Sequence, residues 1–349
     1  MIVSTTLTGS NADIIRDALA SVVDQVDRCI VIDTGAADNT LEVAREVAGD
    51  KLLVKEFPWR NDFAAARNFA LEAAADAGAR WAVTLDTDER LVVAADATLR
   101  ERLARTKAKV LLVAQADGSY AKERIVRLPT KVRWNGPTHE ALLGQRSAES
   151  EVLQGVQFEE LPKDARTLRR KFERDVEILR SHVQENPEDP RWHYYLGASL
   201  HDLCRYEEAI EAFRACAELR GWAEEGAWAC FRAAQCLSEL KRWAEAVDMC
   251  AQGLAIRPAT AELAWLAGWA SFNARRYEDA IAWSNMAVVN GFYDGAGQAF
   301  ARVGFRDTKA LYEGPYEVLR WTFDRLGNDA AAKEAGREFA AAKKLREGK

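Results

Sequence analysis

Trp81-Ala82-Val83-Thr84-Leu85-Asp86-Thr87-Asp88-Glu89 joins an apolar, β-prone run to three carboxylates. A short run of this kind, bounded by polar turn residues, reads as a buried strand, so the carboxylates project from its carboxyl end. Upstream, residues 2–7, 29–32 and 51–57 are strand-like, and the helical patterns at 14–23, 41–47 and 63–77 fall between them. Strands alternating with helices predict βαβ units in an α/β domain, with a mostly parallel sheet covered by helices. Ligands of such sheets bind at the carboxyl ends of strands, where strand order reverses. The polar residues that end these strands are therefore the candidates for chemistry.

From about residue 109 the pattern changes to Val110-Leu111-Leu112-Val113, a hairpin around 121–128, and the irregular Trp134-Asn135-Gly136-Pro137-Thr138-His139-Glu140. A helix with apolar Leu168, Phe172, Val176, Leu179 and Val183 follows, punctuated by Pro187 and Pro190. The reading gives two domains, 1–162 and 163–349. The second contains an internal repeat. Gly197, Ala234 and Gly268 align, and nine residues after each stands an aromatic, Tyr206, Trp243 or Tyr277, preceded by Arg. Three residues further on come Ala209, Ala246 and Ala280. The periods of 37 and 34 residues resemble tetratricopeptide helix pairs, in which small residues let two helices approach and an aromatic fills the groove. Pro258 falls at the repeat's turn, and 314–346 reads as a degenerate capping unit. Eight of the eleven tryptophans lie at or beyond Trp192, as inter-repeat core or as lining of a concave face.

Asp86 and Asp88 place two hard oxygen ligands in one turn, which suits Mg²⁺ or Mn²⁺ completed by phosphate oxygens and water. Alone, an Asp-x-Asp turn is weak evidence, because solvated loops produce it by chance. A second polar strand end, Asp33-Thr34-Gly35, follows residues 29–32. Asp33 can accept hydrogen bonds from a base or ribose, or simply close an Asx-type turn. Asn61-Asp62-Phe63-Ala64-Ala65-Ala66-Arg67-Asn68 opens a helix, with Asp62 as its N-cap and Arg67 one turn in, where a guanidinium can pair with a diphosphate.

Asp33-Thr34-Gly35 with Asp38-Asn39-Thr40, then residues 62–68, then Leu85-Asp86-Thr87-Asp88-Glu89, then His139-Glu140, resemble in order and spacing the family 2 type of glycosyltransferase. The likeness is to the bacterial subgroup with a tetratricopeptide tail, and it covers nearly the whole chain. It implies a GT-A (Rossmann-like) nucleotide-sugar-binding domain followed by an all-α repeat solenoid. It also implies a nucleotide-diphosphate sugar donor, a UDP-sugar being favoured, a divalent metal, and inversion at the anomeric carbon. By position, Asp33 matches the nucleotide-base contact, Arg67 a nucleotide or diphosphate contact, Asp86 the ribose or metal-water contact, and Asp88 the direct metal ligand, with Thr87 between them counted among the nucleotide-sugar-binding residues. Thr5 and Thr6 match backbone contacts to the nucleotide at the end of the first strand. His139 can complete the metal site or touch the diphosphate, and Glu140 can take the acceptor's proton. Alternatively, both order their loop against Arg133 and Trp134. Glu89 is a second base candidate or a helix cap. One departure stands out: relatives carry a Lys-Asn-Glu stretch after the first strand where this chain has Thr8-Gly9-Ser10-Asn11.

The net charge of −6, with both signs interspersed, offers no footprint for nucleic acid. The basic run from Lys163 to Arg174 reads as one solvated helix face, with contact to an anionic membrane surface or a substrate as the sharper alternative. No apolar run approaches the roughly 18 residues that cross a bilayer. The strand-like start leaves no leader pattern, so a cytoplasmic protein is expected. Five of the six cysteines fall between 204 and 250, at spacings of neither zinc pairs nor a disulfide framework, and read as small buried apolar residues. The leading functional reading is a transferase acting on a peptide, protein or glycan acceptor, with the repeats holding the acceptor or pairing two subunits. The competing one is a peptide-binding scaffold with a silent catalytic domain. A nucleotidyltransferase fits poorly, because the first turn lacks a basic residue for phosphate.

Overall fold

Cys29-Ile30-Val31-Ile32 is fully buried, as a strand covered on both faces must be. In the computed structural model, which describes residues 1–295 and 305–348, it forms β2 (Arg28–Asp33). The chain begins with β1 (Ile2–Thr8) and α1 (Ile15–Val22), and β2 is followed by α2 (Thr40–Ala48), β3 (Leu52–Glu56), α3 (Phe63–Asp76), β4 (Trp81–Thr84) and β5 (Glu89–Val93). Then come α4 (Leu99–Arg105), β6 (Val110–Gln115), β7 (Ala121–Arg127), the short pair β8 (Arg133–Asn135) and β9 (Ala141–Leu143), and β10 (Ser150–Glu160).

Eight strands form one sheet in the order β3-β2-β1-β4-β7-β6-β10-β5. The first four run parallel, but β7 is antiparallel to both β4 and β6, and β5 is antiparallel to β10. Six of the eight strands run the same way, so the sheet is mostly parallel as expected, with β7 and β5 reversed and the hairpin β6–β7 bringing β7 against β4. Alternate residues of the strands serve opposite faces. Ile2, Cys29, Val31, Trp81 and Val83 pack with Leu19 and Val22 of α1 and Val43 of α2. Val3, Ile30, Ile32 and Ala82 pack with Ala66, Ala70 and Leu71 of α3.

Four strand spacings separate β4 from β5 in this order, about 19 Å if the sheet were flat. The five residue steps from Thr84 to Glu89 extend at most about 17 Å, and a turn shortens them further, with the Glu89 N–H donating to the Asp86 carbonyl at 3.0 Å. The sheet must therefore curl between these strands, and the Asp86–Asp88 turn bridges the interior strand β4 to the edge strand β5.

The chain divides into two compact units, Met1–Thr167 and Leu168–Lys349. A helix, α5 (Ala165–Glu185), leads into the second, where α6 (Pro190–Asp202), α7 (Tyr206–Glu218), α8 (Ala223–Glu239), α9 (Trp243–Ile256), α10 (Ala261–Asn273) and α11 (Tyr277–Gly295) form three helix pairs. After α12 (Thr308–Leu311), residues 314–346 fold as a further pair, α13 (Gly314–Arg325) and α14 (Asp329–Arg346).

The repeat pattern acquires a mechanism here. A Cβ on Gly197 would lie 2.7 Å from the Phe213 ring, and one on Gly268 would lie 2.5 Å from Ser284. The small residue thus admits a side chain sixteen positions later, not the aromatic at plus nine, which instead opens the second helix of each pair. The arginine before it pairs with the acid three residues on: Arg205 with Glu208, Arg242 with Glu245, Arg276 with Asp279, at 2.6 Å in each case. One residue earlier, Cys204, Lys241 and Arg275 each adopt positive φ, 58°, 57° and 62°, ending the first helix in a left-handed cap. Cys204 is consequently exposed, contrary to its expected burial, while Cys216, Cys230, Cys236 and Cys250 are buried. Burial pushes the Cys230 thiol up to about 11 and the Cys236 thiol, despite Arg232, up to about 12. In the basic run, Lys171 and Arg174 both pair with the enclosed Asp175, and Arg169 pairs with Glu173. Among the described residues no helix is long and apolar enough to cross a membrane.

Candidate active site in the N-terminal domain

Asp62 caps α3 as expected, accepting the Ala65 N–H at 2.8 Å. That start fixes Arg67 and Asn68 on adjoining faces. Asn68 clamps the main chain of Trp134, donating to its carbonyl and accepting its N–H, both at 2.9 Å. The loop that carries His139 and Glu140 is thereby tied to α3, and the Phe63 N–H adds a bond to the Pro137 carbonyl at 2.8 Å.

Arg67 is buried and makes the central contacts. Its Nη1 lies 2.9 Å from Asp86 Oδ1 and its Nη2 3.2 Å from Oδ2, while Nε donates to Glu140 Oε1. Trp134 stacks beneath the guanidinium at 5.5 Å. Glu140 therefore orders Arg67 rather than Arg133, whose guanidinium donates instead to the Val132 carbonyl at 2.9 Å. His139, next to it, has a φ of 49°, an uncommon conformation for a residue with a side chain.

Arg124 of β7 flanks Asp86 on the other side, 3.0 Å from Oδ2, and reaches Glu89 at 2.6 Å. Burial raises the Asp86 pKa, but Arg67 and Arg124 outweigh it and hold the carboxyl well below the ordinary range. Glu89 is almost fully enclosed; it takes Arg124, Lys122 at 2.7 Å and the Asp86 N–H at 3.2 Å. It opens β5 and caps no helix, and its contacts tie the turn to β7.

Asp88 shows a different partner: Lys163 Nζ stands 2.7 Å from Oδ2. Burial disfavours the Lys163 charge, yet Asp88 and Glu160 keep its pKa above the usual value. Lys163 precedes α5 and so does not belong to that helix's solvated face. Thr87 offers its carbonyl to Arg90 at 2.9 Å. Asp33 closes a turn, its Oδ1 accepting the Gly35 and Ala36 N–H groups at 2.9 and 2.7 Å. Thr5 and Thr6 do not end the first strand, which continues to Thr8; both are buried, and the Thr5 carbonyl accepts the Leu85 N–H at 3.0 Å.

Among the described residues, no three His, Cys, Asp or Glu side chains converge as a metal site, so Asp86, Asp88 and His139 are not a preassembled set. The turn nevertheless fits a divalent ion. Mg²⁺-type sites use one or two carboxylates with phosphate and water, and a cation, the Lys163 ammonium, already stands on Asp88. Sequence reading missed Lys122, Arg124 and Lys163. The first two share a strand face by alternation, a signal that marks them as a pair but not as neighbours of Asp86.

Residues 2–151 match the family model described as Glycosyl transferase family 2. Its N-terminal domain is thus similar to family 2 glycosyltransferases. The match stops just inside β10, short of Lys163. The chain is 39% identical over 135 residues to a TPR repeat-containing protein of Synechococcus elongatus, covering 37% of this chain and 32% of that protein. It is 26% identical over 213 residues to the SPbeta prophage-derived glycosyltransferase SunS of Bacillus subtilis, covering 56% of this chain and 48% of that protein. The chain thus spans about half the length of SunS and about a third of the cyanobacterial relative. Among solved structures, MamA of Desulfovibrio magneticus covers 53% of this chain and 91% of that chain, at 22% identity and a TM-score of 0.39. So loose a likeness bears on nothing further.

Proposed function

We propose that the chain is a metal-dependent, inverting glycosyltransferase that moves a sugar from a nucleotide-diphosphate donor, a UDP-sugar by preference, to a peptide, protein or glycan. The observation that carries this reading is the meeting of Asp86 with two buried arginines, two residues before an accessible Asp88, at the end of β4 in a domain similar to family 2 glycosyltransferases. Two guanidiniums beside two carboxylates suit a ligand that brings both phosphates and a cation.

In this reading Asp33 contacts the base through the oxygen its turn leaves over, and Arg67, with Arg124 behind it, faces the diphosphate. Asp86 and Thr87 meet the ribose, and Thr5 and Thr6 underlie the subsite rather than touch it. Mn²⁺ or Mg²⁺, held by Asp88 with Asp86 and His139 nearby, would supply charge neutralisation for the leaving diphosphate. The acceptor nucleophile forms its bond to the anomeric carbon as the sugar–phosphate bond breaks. The bonding pair leaves with the diphosphate, and the proton passes to Glu140, or to His139 beside it. The repeats hold the acceptor.

The test is transfer or donor hydrolysis by the full chain across UDP-, GDP- and dTDP-sugars with Mn²⁺. Turnover with one donor, lost in Asp88→Ala at unchanged melting temperature, supports the reading. Absence of both turnover and nucleotide binding with all of them rules it out.

A further inference from the structure

Lys163 occupies Asp88 at 2.7 Å, and each side chain is only about a quarter exposed, at 26% and 29%. The contact is built in. Leu161, two residues earlier, donates its N–H to the Asp88 carbonyl at 2.8 Å, and Glu160 at the end of β10 is anchored by Lys122 and Tyr120 at 2.7 and 2.9 Å. The lysine thus hangs on a short tether from a core strand, with its ammonium on the best-exposed carboxylate of the turn. Asp86 has two arginines; Asp88 has a flexible, compact point charge, the kind of cation that a small ion can replace.

We infer that Lys163 is a resident counter-cation that a divalent ion must displace from Asp88. The inference rests on the metal reading proposed above. An ammonium and a divalent ion repel one another at the distance of a shared carboxylate, so entry of one requires withdrawal of the other. A nucleoside diphosphate arriving with the ion gives the displaced ammonium a new anionic partner. Lys163 therefore weakens metal binding to the donor-free domain and couples metal entry to donor entry.

Titration of the full chain with Mn²⁺, followed by the electron paramagnetic resonance of free ion, reads this without any turnover. Lys163→Ala and Lys163→Gln should bind Mn²⁺ about two- to fivefold more tightly than wild type, the range of a partly exposed ion pair. Lys163→Arg should remain near wild type, and UDP should enhance Mn²⁺ affinity less in the uncharged variants. Unchanged affinity in both, with Asp88→Ala still abolishing binding, overturns the inference and leaves the metal site standing. Failure of wild type and both uncharged variants to bind Mn²⁺ overturns both.

Discussion

Arg67 and Asp86 form an ion pair with nitrogen–oxygen distances of 2.9 and 3.2 Å, the longer one a hydrogen bond from Nη2 to Oδ2. The same guanidinium turns its Nε to Glu140, so one arginine joins α3, the turn after β4 and the loop before β9.

Removing Arg67 leaves two largely enclosed carboxylates short of a partner. Breaking a buried ion pair from one side costs about 3–5 kcal/mol, and Arg67→Ala is expected to lose stability in that range. Urea denaturation of the full chain measures it, and a loss under about 1 kcal/mol would class the contact with surface pairs.

The depressed Asp86 pKa makes part of the stability depend on pH. The unfolded carboxyl titrates near 3.9, above the folded value, so the contribution is complete above that pH and is lost as pH falls through the folded pKa. Urea midpoints from pH 6 to pH 3 should fall for wild type and fall less steeply for Arg67→Ala. Parallel slopes would contradict the pairing.

Glu89→Gln separates holding from proton transfer. Glu89 anchors Arg124, Lys122 and the Asp86 N–H, so the variant should lose about 1–3 kcal/mol. The pH–rate profile of transfer should keep its shape, whereas loss of its acid limb would make Glu89 the base.

Two helical glycines should respond oppositely to alanine. Propensity alone favours alanine by about 1 kcal/mol, and Gly336, whose Cβ would meet only Arg320 at 3.6 Å, should show a gain of that order. Gly197→Ala drives a methyl into the Phe213 ring and should instead lose about 1–3 kcal/mol. Melting temperatures of the two variants decide it.

Cys204 alone among the six cysteines is exposed. A thiol reagent should modify one cysteine quickly in the native chain and the rest only in denaturant. Cys204→Gly should remove the fast phase and leave the fold at least as stable, because glycine takes positive φ without a side-chain clash.

Much of the fold was legible because its signals are local. The apolar runs ending in Asp33 and Asp86 are strands, Asp62 is a cap, and the spacing from Gly197 to Tyr206 to Ala209 reproduces one helix pair. The place of the antiparallel strand β7 beside β4 was not legible, because nothing within 121–128 tells which strand it will lie against. The same non-locality hid Arg124: only the antiparallel register of β4 and β7, with Val83 opposite Ile125, brings it to Asp86. Lys163 was counted into the helix that begins two residues later, and its charge looked like one of many. Asp33 and Asp62 were read through hydrogen bonds to their own neighbours, which sequence spacing does encode. Cys204 was misjudged because composition speaks for burial, whereas its place in a left-handed cap is fixed by the repeat.

The last strand of the domain to be made, β10, lies inside the sheet, between β6 and β5. Space therefore imposes an order in time. The turn at 86–88 leaves the ribosome well before Leu161 and Lys163, and at about 5–20 residues per second the interval is about 4–15 seconds. Through that interval β5 has no strand to pair with and Asp88 has no counter-cation. A chain that stops before β10 stays in that condition, with every residue of the Asp-x-Asp turn present and its assembly unfinished.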